Sequence, residues 1–226
     1  MNNKMTLSES VLGWFYLFFS IFMLSSMMDF FNKKLPTPMS GPWLAFATAC
    51  FSFVMLVLIC HTFLGTAASN LSKDSIGSLS AMALGFCIYY TCTTLLGKYM
   101  STYFTSFFNV KDASISAMLK LDFLPMAVGI IFLLPFVEEM LYRGVIFNGL
   151  FGKNKTLAYV LSTLIYSSVQ LMTYAHTQEP IVLFWNFLQY VPAGFTLAWV
   201  YVKADNIFAP ILLHMIINAM GVFSLR

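Results

Sequence analysis

Long apolar stretches alternate with short polar connections along the whole chain. A helix needs about 20 predominantly apolar residues to cross the roughly 30 Å hydrocarbon core of a bilayer. Seven stretches approach or exceed this length, at residues 10–31, 42–66, 76–97, 123–150, 156–176, 180–202 and 207–224. The pattern therefore predicts an all-α fold, a polytopic membrane bundle of about seven transmembrane helices.

The connections between these stretches are short and carry nearly all of the lysines and arginines. Two of them, "NKKLPTPMSGP" at 32–42 and "GKNK" at 152–155, are also marked as breaks by proline or glycine. The first apolar stretch is longer than the core of a signal peptide, and no small-residue cleavage site follows it, so we interpret it as a membrane helix. Basic residues divide nearly evenly between the two sides, which leaves the orientation undetermined.

Composition supports a lipid environment. Of the 226 residues 59% are hydrophobic and only 9% are charged, and the mean hydropathy is +0.79. Such a chain cannot cover a water-facing surface with polar groups, so we expect an integral membrane protein whose surroundings are the lipid bilayer. The net charge of +3 is scattered along the chain, which argues against nucleic acid as a partner.

Residues 98–122 form a segment of a different kind. It mixes aromatic residues with Lys98, Lys111 and Lys120 and has too few continuous apolar residues to span a bilayer. We interpret it as an interfacial amphipathic helix or a re-entrant piece. A role in shaping the entrance to a site is the less favoured alternative.

The fourth apolar stretch contains three charges, within "FLLPFVEEMLYRGVIF" at 132–147. Each charge is costly near the middle of a bilayer. Glu139 and Arg143 are four residues apart with the acid first, which is the favourable arrangement for a helical ion pair. Glu138 has no such partner nearby, which makes it a candidate general base or acid. The alternative is that all three residues form a polar clamp between helices.

Polar side chains also recur at helical spacing in the last stretch. His214 and Asn218 are four residues apart and share one helix face within apolar surroundings. An imidazole and a carboxamide on one face could hold a water, a metal or a developing oxyanion. The alternative is a buried structural histidine bonded to another helix.

The apolar stretches 156–176 and 180–202 also carry polar side chains at helical spacing. Thr163, Tyr166 and Gln170 lie three and four residues apart in one stretch, and Asn186 and Gln189 lie three apart in the other. The last four membrane helices are therefore predicted to enclose one polar intramembrane cavity.

These motifs resemble those of a known family. The CPBP or Abi intramembrane proteases, which include CAAX prenyl endopeptidases and bacterial bacteriocin-processing and self-immunity proteins, show Glu-Glu-x-x-x-Arg, Phe-x-x-x-His and His-x-x-x-Asn or Asp. Here "EEMLYR" and "HMIIN" match the first and third motifs, in order and each in a membrane helix. The resemblance divides the chain into N-terminal helices with the interfacial segment, 1–122, and a CPBP-like catalytic core, 123–226, within one integral domain.

The second motif departs from the family pattern. The chain reads "YSSVQ", with Tyr166 in place of phenylalanine and Gln170 in place of histidine. In the family that histidine is thought to act on the attacking water or to ligate a metal. Glutamine cannot take up a proton near neutral pH and is a poor zinc ligand, so we expect no metal and no other cofactor. His176, six residues further on, is not placed to replace it.

The resemblance implies an endopeptidase that hydrolyses peptide bonds of a membrane-associated peptide or protein. Glu138 would be the general base, Arg143 would hold Glu139, and His214 with Asn218 would stabilise the oxyanion. Gln170 would orient the water, and Tyr166, Asn186 and Gln189 are expected to contact the substrate. The resemblance also implies a multi-pass protein of a bacterial plasma membrane.

Two other functions stay open on the residues alone. A catalytically degenerate relative would keep the cavity but act by binding another membrane protein, such as a sensor kinase or a peptide-export component, and Gln170 favours this reading. An ion-coupled transporter would use Glu138 as a proton relay. No inverted repeat in the sequence supports the transporter.

Overall fold

The computed structural model describes residues 3–71, 75–104 and 108–225. Within these ranges every regular element is helical, as the apolar pattern predicts. We number the helices α1 Leu7–Phe22, α2 Leu24–Asn32, α3 Gly41–Ile59, α4 His61–Leu71, α5 Ser75–Tyr103, α6 Val110–Leu121, α7 Phe123–Phe151, α8 Lys155–Val169, α9 Pro180–Ala204 and α10 Phe208–Ser224.

Four of the described helices are long and apolar enough to cross a membrane, namely α3, α5, α7 and α9. The bent pair α1 and α2 gives a fifth span if it is counted as one. Helices α8 and α10 have only 15 and 17 residues, and at 1.5 Å per residue the shorter rises roughly 22 Å. The predicted count of about seven spans is therefore not confirmed, whereas the protein is integral to the membrane.

Several predicted helices are interrupted. The predicted helix 10–31 bends by 58° at Met23, and the predicted helix 42–66 divides at Cys60. The predicted helix 156–176 ends at Val169, because Leu171 N–H bonds three residues back, to the carbonyl of Ser168, and the chain tightens into a 3₁₀ turn at Met172–Tyr174. The predicted interfacial segment 98–122 supplies the end of α5 and all of α6, and its residues 105–107 lie outside the described ranges.

Helix α7 forms the centre of the bundle and is wound unevenly. Two stretches have the wider π-helical hydrogen bonding, Gly129–Leu133 and Met140–Phe147, and the ordinary α-helical stretch Leu134–Glu139 separates them. Pro135 explains the first, because a proline lacks an N–H and its ring crowds the carbonyl four residues earlier. The adjacent glutamates thus sit at the end of a short α-helical piece between two wide ones.

Helices α5, α8 and α10 pack around α9 and α7, and small residues allow the closest approach. A Cβ on Gly85 of α5 would lie 2.3 Å from Cγ2 of Val200 on α9, which is inside contact distance. Large apolar side chains face outward elsewhere, among them Phe15, Ile76 and Phe223, as expected for a surface that meets lipid. Buried polar side chains, among them Arg143, Asn186 and His214, lie in the interior among these helices.

Candidate active site

A cavity of about 300 Å³ opens among α5 to α10. Leu96, Ile115, Ile130, Leu134 and Ile217 give it an apolar wall. Its polar lining comes from every helix in this group and consists of Tyr89, Thr93, Asn109, Lys111, Asp112, Glu138, Tyr166, Gln189, Tyr190, His214 and Asn218. The polar cavity that the sequence predicts between the last four spans is thus present, with α5 and α6 as additional walls.

Glu139 and Arg143 form a completely buried ion pair on α7. Arg143 donates from Nη1 to Oε1 of Glu139 at 3.0 Å, and from Nη2 to the carbonyl of Gly194 on α9 at 2.9 Å. Both side chains have no exposed surface. A charge pair without solvent is tolerable only when the geometry is good and further hydrogen bonds are made. This pair therefore joins α7 to α9, whereas the alternative from the sequence places all three charged residues in such a clamp.

His214 connects this clamp to the second carboxylate. Its Nδ1 lies 2.9 Å from Oε1 of Glu139, and its Nε2 lies 3.8 Å from Oε2 of Glu138. When Nδ1 carries the proton and donates to Glu139, the hydrogen bond fixes the tautomer and turns Nε2 toward Glu138. The single imidazole thus faces both adjacent glutamates, one through each ring nitrogen.

Glu138 differs from Glu139 in its surroundings. Its side chain is 17% exposed, it lines the cavity, and its Oε2 accepts a hydrogen bond of 3.0 Å from Nε2 of Gln170. Gln170 in turn accepts a hydrogen bond at Oε1 from Nζ of Lys111. Gln170 caps the C-terminus of α8, at the end of the helix and not in its interior. The direct partners of Glu138 therefore come from the end of α8 and from α10, and α6 contacts Gln170.

Tyr166 packs within the site wall. Its ring lies 4.9 Å from the Arg143 guanidinium, contacts His214 edge-on at 6.1 Å between centroids, and is only 4% exposed. A cation over an aromatic face gains about 0.5–2 kcal/mol, which helps to hold the buried arginine. Tyr166 does line the cavity, but most of its surface is used to fix Arg143 and His214.

Asn218 lines the cavity one helical turn beyond His214. Its Nδ2 donates to the carbonyl of Ile130 at 2.9 Å, which belongs to the first wide stretch of α7. A carboxamide nitrogen has two N–H groups, so this bond uses one of them. The amide is thereby oriented at the edge of the cavity beside His214.

Asn186 and Gln189 occupy different positions although they are three residues apart. Gln189 lines the cavity and accepts from Nδ2 of Asn109 at 2.7 Å. Asn186 is fully buried and lies outside the cavity lining, where it donates to the carbonyl of Phe108 and accepts from the N–H of Val110. Its amide anchors the start of α6 to α9, in contrast to the substrate contact that the sequence suggests.

The contribution of α6 is only the less favoured alternative for segment 98–122 in the sequence, and none of its residues is predicted there as a site residue. Asn109, Lys111 and Asp112 line the cavity from the first turn of this helix, and Tyr190 donates to Oδ1 of Asn109 at 3.1 Å. Burial raises the pKa of Asp112, and the neighbouring Lys111 opposes that shift. The available signal was the asparagine cap followed by two adjacent charges in an otherwise apolar segment.

The donor set of the site does not favour a metal. Among the described residues no three histidine, cysteine, aspartate or glutamate side chains converge as ligands. Oε1 of Glu139 is already shared by Arg143 and His214, and the amide of Gln170 is a poor ligand. The residues that face the cavity are arranged for hydrogen bonding to organic groups or water.

One known protein family is similar to part of the chain. The family model described as type II CAAX prenyl endopeptidase Rce1-like matches residues 120–220, which run from the end of α6 to α10. This part, a little under half of the chain, is similar to the CAAX-type intramembrane proteases that the family model describes. No curated protein and no solved structure matches the chain.

Proposed function

We propose that the protein is an intramembrane endopeptidase that hydrolyses a peptide bond of a membrane-associated peptide or protein with a water activated by Glu138. The observation that carries this proposal is the pairing of Glu138 with His214 across 3.8 Å at the wall of a cavity. The family model that matches residues 120–220 describes proteases, and this similarity supports the same class of reaction.

The chemistry follows from the two ring nitrogens of His214. With Nδ1 held by Glu139 and His214 protonated, a water on the cavity side of the two groups can accept from Nε2–H and donate to the carboxylate of Glu138. Glu138 takes the proton of this water, and the hydroxide attacks the carbonyl carbon of the scissile bond. Glu138 then returns the proton to the amine that leaves. A carboxylate with this role typically contributes about 10² to 10⁴ in rate.

The negative charge on the tetrahedral intermediate needs donors at the cavity edge. Asn218 is oriented there by its bond to Ile130, and a protonated His214 would present an N–H from the same helix face. Preorganised donors of this kind each contribute about 10² to 10³ in rate. His214 and Asn218 are therefore the oxyanion-stabilising pair in this proposal.

Gln170 has a supporting role in the reaction. It cannot accept a proton, so it serves by holding Oε2 of Glu138 with an N–H at 3.0 Å. Catalysis proceeds in this proposal without a bound metal, and elemental analysis of the purified protein checks that point. The protein is proposed to act as a multi-pass protein of a bacterial plasma membrane, with Gln189 and Tyr166 beside the bound peptide.

The decisive experiment offers the purified protein two substrates. One is a farnesylated peptide that ends in a CAAX sequence, and the other is a leader-bearing bacterial peptide. Mass spectrometry should detect a product with the wild-type protein that is lost in Glu138→Ala and in His214→Ala. Product formation that survives both substitutions contradicts the proposal.

A second function is favoured by one observation. Gln170 stands where the family motif has histidine, so a catalytically degenerate protein that binds another membrane protein is the competing proposal. Under that alternative the wild-type protein cleaves neither peptide. Glu138→Ala would then preserve the phenotype that the wild-type protein gives in cells. The purified variant would still capture its membrane partner, and the expected class of partner is a sensor kinase or an export component.

A further inference from the structure

Lys111 lies outside the part of the chain that matches the family model, yet its ammonium contacts the site. It is the second residue of α6 and lines the cavity. Its Nζ donates to Oε1 of Gln170 and lies 5.7 Å from the centre of the Tyr190 ring. The contact thus joins a helix of the N-terminal half to the end of α8.

The direction of the hydrogen bonds in this chain is fixed by chemistry. An ammonium has donors only, whereas the two ends of a carboxamide are one acceptor and one donor group. Since Lys111 needs an acceptor, the oxygen of Gln170 must face it, and the NH₂ group must then face Glu138. Without the cation the amide could turn over and point its oxygen at the carboxylate.

The first turn of α6 is itself held in place. Asn186 bonds the backbone of Phe108 and Val110, and Asn109 bonds both Gln189 and Tyr190 of α9. Lys111 is therefore presented to the cavity from an anchored turn.

We propose that Lys111 is a positioning residue of the active site, which orients the amide of Gln170 so that it donates to Glu138 and holds the carboxylate toward the water. The inference rests on the proposed function, and it assigns to Lys111 an action through Gln170 and no contact with the reacting atoms.

The first test measures the hydrogen-bond chain and requires no substrate. The chain has three glutamines, Gln170, Gln178 and Gln189, so selective ¹⁵N labelling of side-chain amides gives three NH₂ pairs in detergent. The pair that disappears in Gln170→Leu belongs to Gln170. It should shift in Lys111→Met and in Glu138→Ala. Lys120→Met is the matched control, since Lys120 is exposed on the same helix, and it should leave the pair in place.

The second test uses the cleavage assay. Lys111→Met should lower kcat about tenfold or more with KM nearly unchanged, which is the cost of losing one charge-assisted hydrogen bond. Lys111→Arg should retain most of the activity. In the Gln170→Leu background Lys111→Met should add no further loss, because the group through which it acts is gone.

Each outcome is informative. An equal loss from Lys111→Met in both backgrounds, or an effect on KM alone, overturns the positioning role while the proposed function stands. If the wild-type protein cleaves nothing, the proposed function fails. The amide spectrum of Gln170 then tests whether Lys111 orients this side chain. An unmoved Gln170 pair in Lys111→Met then overturns this inference, and a shifted pair supports it.

Discussion

His214 Nδ1 lies 2.9 Å from Oε1 of Glu139, a carboxylate that also holds the buried guanidinium of Arg143. The neighbouring carboxylate, Glu138, is partly exposed to the cavity and, within the described ranges, forms no ion pair with an arginine. Two adjacent residues of the same type therefore serve different purposes, one in holding the structure and one in facing the cavity.

The first prediction is that stability and activity separate between these two residues. Glu139→Gln should lower the free energy of unfolding by about 3–5 kcal/mol, because Arg143 is left as a buried charge without its partner. Glu138→Gln should leave the Tm nearly unchanged and lower cleavage by about 10² to 10⁴. Thermal unfolding in detergent and the peptide assay measure the two effects. Equal Tm losses in both variants would contradict this division of roles.

Restoring a histidine at position 170 provides the second prediction. Gln170→His places an imidazole beside Glu138, and an imidazole can exchange protons where a carboxamide cannot. We expect kcat to rise about tenfold or more, while Gln170→Leu lowers it. A matched histidine at Gln178, outside the cavity lining, should change nothing. An unchanged kcat in Gln170→His counts against a protease.

Two glycines of α5 give the third prediction. Gly85→Ala places a Cβ 2.3 Å from Val200 and 3.1 Å from Leu213, so α5 must move away from α9 and α10. We expect a loss of about 1–3 kcal/mol in the free energy of unfolding. Gly97→Ala on the same helix has no atom within 4 Å and should be neutral or slightly stabilising. Thermal unfolding of both variants in one detergent checks this prediction. Equal Tm values for Gly85→Ala and Gly97→Ala would contradict it.

The fourth prediction concerns pH. Burial raises the pKa of Asp112 above its ordinary value of 3.8, with Lys111 opposing the shift, so the folded state favours the protonated carboxyl. Its contribution to stability is complete below pH 3.8 and is lost as the pH rises through the raised value. The Tm difference between wild type and Asp112→Asn should therefore change over that interval. A Tm difference between wild type and Asp112→Asn that stays constant with pH would refute this prediction.

The local part of the site could be predicted from the sequence, whereas its long-range part could not. Glu139 and Arg143 are one turn apart on one helix, so their ion pair follows from helical geometry. The contact of Glu138 with Gln170 also depends on where α8 ends, and Lys111 reaches Gln170 only because α6 folds over the cavity. No periodicity in the sequence encodes that placement.

Asn186 and Gln189 show that spacing alone does not determine what a side chain contacts. Three residues on a helix turn a side chain by about 300°, which leaves a 60° offset between Asn186 and Gln189. That offset is enough to direct one amide to the backbone of the 108–110 turn and the other to the cavity. The helix count is not confirmed for a related reason, since apolar length does not reveal the breaks at Met23 and Cys60 or the early end of α8.

The uneven winding of α7 determines where its length can change. A wide π turn is the form a helix takes when it accommodates one surplus residue without rotating the residues on its C-terminal side. Deleting a residue between Met140 and Phe147 would let that stretch rewind as ordinary α-helix, with both flanks still facing their neighbours. The same deletion between Leu134 and Glu139 would swing the carboxylates by about 100° around the axis. Insertions and deletions in homologous chains should therefore fall in the two wide stretches and spare the six residues between them.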